Sequence, residues 1–333
     1  MSVARRVLAL AGLACAVVLG GCGGDQSPLA PKGGPSREIA DLFWGMLAAA
    51  GVVFAGAVAL LLLAWRRRDR GLPFVGEREG VINGLVIAFG IVIPVVALVT
   101  LFAVANVNIV RDTDAPQAAT TRLTVEVIGR QWFWDVRYPG TTAVTANEIH
   151  IPARTRVNLV AETADVIHSF WVPELNRKID MVPGKRNRIL LYADHPGRYR
   201  GQCAEFCGLQ HANMSLYVFA DPPARFRAWL ARLQQAAPAP VADARRGQQV
   251  FMSRACADCH TIAGTPAHGA VGPDLSHLAS RTTLAALTLP NRPGELARWI
   301  QDPQHFKPGN KMPGLALSAA EVRALVAYLE TLR

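Results

Sequence analysis

Two short segments of this chain carry residue types that could do chemistry. The first is Cys203-Ala204-Glu205-Phe206-Cys207-Gly208-Leu209-Gln210-His211-Ala212-Asn213-Met214, which gathers two thiols, an imidazole and a thioether on one stretch. Soft sulfur donors beside imidazole favour copper over hard cations. A disulfide is the obvious alternative, but it needs no His or Met further along the chain. Zinc is another, but it rarely recruits methionine. The second segment, Cys256-Ala257-Asp258-Cys259-His260, is a Cys-x-x-Cys-His haem-attachment pattern. Its two thiols form thioethers with the haem vinyl groups, and His260 takes the iron. A redox dithiol or a zinc knuckle would use the same cysteines, but no second pair of ligands follows. Met312, in Lys311-Met312-Pro313-Gly314, is the expected distal ligand, and Met/His ligation raises the potential. His268, His277 and His305 lack that Met-Pro context.

These segments need different scaffolds. From Arg122 onward, short apolar and polar alternation (Leu123, Val125, Val127) reads as half-buried strand. Residues 147–151, 155–160, 188–192 and 215–219 read the same way between Pro, Gly and Asp turns, which predicts a β-sandwich or barrel closed by a helix over 224–233. After an Ala/Pro-rich linker over 234–241, helices are expected over 243–254 and 293–301. The latter has Pro293 in its first turn. Ser318-x-x-Glu321 is a capping box before Val322, Leu325, Val326 and Leu329, the apolar face of a last helix.

The beginning of the chain is apolar. Arg5 and Arg6 precede the run from Val7 to Leu19, and Leu19-Gly20-Gly21-Cys22 follows, which predicts a signal peptide over 1–21. The box resembles that of bacterial lipoproteins, whose new N-terminal cysteine, here Cys22, is lipidated. A short outer segment over 22–41 then leads into a two-helix transmembrane hairpin over 42–104, with spans at 42–64 and 84–104. Pro94 should kink the second span. Arg66, Arg67, Arg68 and Arg70 lie between the spans and mark the cytoplasmic side, which puts both metal segments on the outer, periplasmic side of the membrane. Neither span carries His, Asp, Glu or Lys, so any metal chemistry at membrane depth belongs to a partner.

The loop Cys-x-Glu-x-Cys-x3-His-x2-Met resembles the dinuclear CuA loop of cytochrome c oxidase subunit II. The resemblance covers about residues 41–233. It implies a cupredoxin-like all-β Greek-key domain over 111–233. Cys203 and Cys207 would bridge two coppers, His211 and His168 would each bind one, and Met214 and the Glu205 backbone carbonyl would be weak axial ligands. Sharing one electron over two bridged coppers leaves little geometry to reorganise. Gly129-Arg130-Gln131-Trp132-Phe133-Trp134 resembles the family's aromatic segment, which implies that Trp132 sits over the copper site where electrons enter. Val172-Pro173, Lys178, Asp180 and Pro183-Gly184-Lys185 resemble the face toward the catalytic subunit I, where the Glu205 carboxylate would hold Mg2+. The family's acid entering the second span is replaced here by Ile87, which puts a proton-uptake role at that position in doubt. Residues 242–333 resemble the all-α class I cytochrome c fused to subunit II in some bacterial oxidases. In that resemblance, Gly272-Pro273-Asp274-Leu275 is the loop whose backbone orients the haem histidine.

The expected function is therefore electron relay from a cytochrome c, or another outer-face donor, through haem c and CuA. The acceptor is the haem-copper subunit of a bacterial inner-membrane oxidase that reduces oxygen and moves protons, with subunit III as a further partner. The short tether keeps the haem domain at high local concentration. Sixteen Lys/Arg against twelve Asp/Glu over 111–233 disfavour direct docking of a lysine-rich donor on the copper domain. The alternatives are the same relay in a CuA-containing nitric oxide reductase, or a copper-delivery lipoprotein. A covalent haem argues against the latter. The net charge of +10 is spread along the chain without a basic, aromatic-interleaved face, which excludes nucleic acid as a partner.

Overall fold

The structure, a computed structural model, describes residues 24–68, 79–116, 121, 123–237, 239–240 and 242–333. The signal segment, Cys22, Asp69 and Arg70 lie outside the described residues. The chain divides into one unit of residues 37–114 and another that unites 115–333 with the segment before residue 37.

The first unit is two helices, both long and apolar enough to cross a membrane. Helix α1 spans Gly34–Arg66 and starts ahead of the apolar run. Its polar first turns are good helix, with Pro35 where a missing N–H costs nothing, but hydropathy marks only the part suited to hydrocarbon. The second span runs from α2 (Glu79–Ile87) through a π turn (Ala88–Val92) into α3 (Ile93–Val104). The Ile93 N–H donates to the Ala88 carbonyl, five residues back. Pro94 follows directly. A proline ring clashes with the carbonyl four residues earlier, here Gly90, and a widened turn makes room for it. Val52, Phe54, Leu61, Phe89 and Phe102 are exposed along these helices, as side chains facing lipid should be.

The second unit begins with ten strands in two five-stranded sheets. In chain order they are β1 (Thr124–Arg130), β2 (Phe133–Arg137), β3 (Val144–Ala146), β4 (Glu148–Pro152), β5 (Val157–Thr163), β6 (His168–Trp171), β7 (Ile179–Met181), β8 (Asn187–Leu191), β9 (Gly197–Cys203) and β10 (Ser215–Asp221). One sheet runs β3-β2-β1-β5-β8 and the other β4-β10-β9-β6-β7. The pairs β1/β5 and β4/β10 are parallel and the rest antiparallel. This is the cupredoxin-like sandwich. Every second residue of β1 is buried, which is the pleat's period of two. Trp134, Ile149, Leu159, Phe170, Leu191 and Leu216 fill the space between the sheets. Helix α4 (Pro223–Leu233) closes the domain by burying Phe226, Trp229 and Leu233, with Trp229 edge-on to Tyr138 at 5.4 Å.

The linker is not free chain throughout: the Ala237 N–H donates to the Ala263 carbonyl at 3.4 Å. Three longer helices frame the C-terminal domain: α5 (Ala242–Ser253), α6 (Pro293–Gln301) and α7 (Ala319–Leu329). The capping box forms as expected, with Ser318 Oγ accepting from the Glu321 N–H and the Glu321 carboxylate accepting from the Ser318 N–H at 2.9 Å. Helices α5 and α7 cross closely because Gly247 lies against the Ala324 carbonyl. Phe251 and Tyr328 meet edge-on at 6.1 Å beside that crossing.

Candidate metal centres

Sheet register brings His168 to the sulfur loop. His168 opens β6, and β6 pairs with β9 so that Phe170 faces Cys203, the last residue of β9. The intervening loop returns as β10, and the Cys203 N–H donating to the Met214 carbonyl at 2.9 Å closes its base. The six donors expected from the sequence therefore converge. Cys203 Sγ lies 3.8 Å from Cys207 Sγ and 3.8 Å from His168 Nδ1. Cys207 Sγ lies 3.6 Å from His211 Nδ1 and 3.9 Å from Met214 Sδ. The Glu205 carbonyl is 3.2 Å from Cys203 Sγ, while its side chain is exposed. Both cysteines are free and buried.

This donor set suits a sulfur-bridged metal pair. The thiols are closer than about 4.6 Å, twice a metal–thiolate bond of about 2.3 Å, so both can reach one metal. His168 presents Nδ1 to sulfur because Asp165 Oδ1 holds Nε2 at 2.9 Å. Carboxylate support on the far nitrogen is the usual arrangement for a metal-bound histidine. Burial opposes the Asp165 charge, but the N–H groups of Gln131 (2.7 Å) and Val166 (2.8 Å), together with His168, outweigh it and hold the carboxyl below the ordinary range. Burial also opposes protonation of His168, but the Cys203 thiol and Asp165 prevail and raise its pKa. Of the two thiols, Cys203 ionises first, pushed down chiefly by the hydrogen bond from Cys207, and the Cys207 thiol is raised in turn by its neighbour. Asp165 was not singled out in the sequence, although an acid three residues before a candidate ligand is a readable signal.

Trp132 reaches the same loop. Its Nε1–H and the Gln131 Nε2–H both donate to the Cys207 carbonyl, at 3.0 and 2.8 Å. Gly208 lies under the indole with φ +110°, where an added Cβ would meet Trp132 Cζ2 at 3.0 Å.

The second centre is a largely apolar cleft lined by Cys256, Cys259, His260, Leu275, Leu325 and Met312. The His260 Nδ1 sits 2.8 Å from the Pro273 carbonyl, which turns Nε2 toward the cleft. Burial lowers the His260 pKa, favouring the neutral, ligating imidazole. Met312 is fixed by its N–H on Asn310 Oδ1 and by its carbonyl, which accepts from Gln304 Nε2, both at 2.8 Å. His268, His277 and His305 do not line this cleft. The donors and apolar walls fit a thioether-linked haem with His/Met ligation.

The two centres share a wall, which the sequence did not reveal. Trp132, Phe133 and Asn147 of the β domain line the haem cleft together with the helical domain. Around it, the Thr282 N–H donates to Glu148 Oε1 at 2.6 Å and Arg281 Nε–H to Thr145 Oγ1 at 3.3 Å. Gln210 Nε2–H donates to the Pro308 carbonyl at 2.8 Å.

Both domains match known families. Residues 141–220 match the family described as cytochrome c oxidase subunit II, periplasmic domain, and residues 244–333 match cytochrome c. The chain is 33% identical to cytochrome c oxidase subunit 2 of Alkalihalophilus pseudofirmus, covering 95% of this chain and 94% of that one. It is 31% identical to cytochrome c oxidase subunit 2 of Bacillus sp. strain PS3, covering 73% and 70%. With a sulfur-rich β-sandwich, a haem-attachment domain and likeness along nearly its whole length, the chain belongs to the cytochrome c oxidase subunit 2 family.

Proposed function

We propose that this subunit of a haem-copper oxidoreductase admits electrons in a fixed order, haem c before CuA. The observation that carries the reading is the double engagement of Trp132: its indole donates to the Cys207 carbonyl and also lines the haem cleft. Cys256 and Cys259 anchor the haem, with His260 and Met312 as axial ligands. Cys203, Cys207, His168, His211, Met214 and the Glu205 carbonyl hold the copper pair. When bound, the two groups supply reversible one-electron carriage. The chain's own residues bury Cys203, Cys207, His168 and Met214, orient His168 through Asp165 and His260 through the Pro273 carbonyl, and close the gap between the centres with an aromatic ring. The exposed Glu205 carboxylate is available to hold Mg2+ against the catalytic subunit.

The wider setting belongs to the same proposal. The chain sits in a bacterial inner membrane with both metal domains outside and the Arg66–Arg68 turn inside. It takes electrons from cytochrome c or another outer-face donor, and subunit III completes the complex. Stopped-flow reduction of the intact oxidase tests the order. Donor should reduce haem c first and copper second, and cutting the chain after Pro240 should leave the copper signal intact but slow turnover. Copper reduced at an unchanged rate in that truncation would remove the haem from the path. The spectrum of the co-purified partner adds a check: haem a supports the oxidase, and haem b alone the nitric oxide reductase.

A further inference from the structure

Lys307 is a buried lysine where none is expected. It lies in the loop leading to Met312, is 2% exposed, and is boxed in between the two metal domains. Its Nζ donates to the carbonyls of Trp132 at 2.9 Å, Asn213 at 2.9 Å and Ala285 at 3.2 Å. Trp132 is the shared wall, Asn213 precedes Met214 on the copper loop, and Ala285 belongs to the haem domain. An ammonium has three donors, and all three are used. Burying a charge without a carboxylate costs free energy, and an apolar side chain of similar length would fill the space at less cost. What an apolar side chain cannot do is require three particular carbonyls to be in place.

The rest of the loop grips the same region. The Pro308 carbonyl accepts from Gln210, the neighbour of His211, and Lys311 Nζ lies 3.8 Å from the Asp165 carboxylate that supports His168. The loop is braced internally: Asn310 Nδ2–H donates to the carbonyls of Lys307 at 2.7 Å and Pro303 at 3.0 Å, and Gln304 ties Asn310 to Met312. A displacement at Lys307 is therefore passed on to Met312.

We propose that Lys307 is a positioning residue whose ammonium, shared among the carbonyls of Trp132, Asn213 and Ala285, locks the haem domain onto the copper loop in the arrangement used for electron transfer. The proposal rests on the relay described above.

The test uses the full oxidase complex with Lys307→Met, Lys307→Gln and Lys311→Ala. Hydrogen–deuterium exchange reports the lock itself. In Lys307→Met, amides at 131–133 and 209–213 should exchange faster while the rest of both domains keeps its protection. After flash reduction of haem c, loss of the lock should slow the transfer of one electron from ferrous haem to the copper pair well beyond any change in Lys311→Ala. Lys307→Gln keeps two donors and should lose less. Lys311→Ala breaks a long, partly exposed pair and should change the rate by less than about fivefold. If Lys307→Met assembles with both spectra intact and neither exchange nor internal rate changes, the proposal is overturned. It also falls if both Lys307 variants fail to load copper or haem, since Lys307 would then serve folding rather than position. Wild-type enzyme whose copper is reduced independently of haem c would instead defeat the relay reading.

Discussion

Replacing Asp165 with Asn should loosen the copper site without touching a metal ligand. The carboxylate is 18% exposed and accepts from three directions: His168 Nε2–H on Oδ1 at 2.9 Å, the Val166 N–H on Oδ1 at 2.8 Å, and the Gln131 N–H on Oδ2 at 2.7 Å. Asparagine keeps one oxygen. Its NH2 group must face either the Gln131 N–H or the pair His168 and Val166, donor against donor. Leaving one such donor unpaired costs about 1–3 kcal/mol. Losing the carboxylate behind a ligating imidazole typically lowers metal affinity by about 10- to 100-fold, or about 1.4–2.8 kcal/mol. The two estimates overlap, so a 10- to 100-fold loss is expected. The assay is copper retention by the intact oxidase against a graded chelator, followed by the mixed-valence signal of the copper pair. The haem c spectrum serves as the internal control and should not move. If the Asn variant holds copper as tightly as wild type, Asp165 does not support His168 and the reasoning fails.

Other consequences follow from the packing and the ends of the chain. Gly247→Val should destabilise the haem domain by roughly 1–3 kcal/mol, because any Cβ there collides with the Ala324 carbonyl and must spread α5 from α7; thermal melts followed at the haem Soret band read this, and an unchanged midpoint refutes it. Glu321 is held down to about 2, first by the Arg254 side chain and then by Ser318. Its folded pKa is below its ordinary 4.5, so its contribution is complete above about 4.5 and lost as pH falls toward about 2. Glu321→Gln should therefore flatten the acid limb of the haem-domain stability curve, and an identical limb in variant and wild type would count against that cap. Mature protein should begin at Cys22 and carry acyl chains, so an unmodified peptide spanning Gly21 and Cys22 in mass spectra of the mature enzyme disproves lipidation. Cys22→Ala should cost little activity, since α1 and the second span hold the chain in the membrane.

What the sequence alone determined were features set by local pattern. The capping box at Ser318 and Glu321 is four adjacent residues satisfying one helix end, so no tertiary information is needed to read it. The spans are set by twenty-odd apolar residues and the haem anchors by covalent chemistry at fixed spacing. Five strands were legible because they alternate or run apolar. Strands β3, β6 and β7, of three or four residues, were too short to show a period, β2 buries three successive residues and so shows no alternation, and β9 hid behind two glycines and two arginines. The loop from Cys203 to Met214 announced its ligands, because their types are rare together. His168 could be tied to that loop only through resemblance, since the pairing of Phe170 with Cys203 joins residues far apart in sequence. Tertiary structure alone decided which groups support the ligands and how the centres face each other. Asp165 behind His168, Trp132 between the copper loop and the haem cleft, and Lys307 among three carbonyls each depend on backbone atoms brought together from separate elements. A backbone carbonyl has no residue type, so an interface built on such acceptors leaves no mark in the sequence.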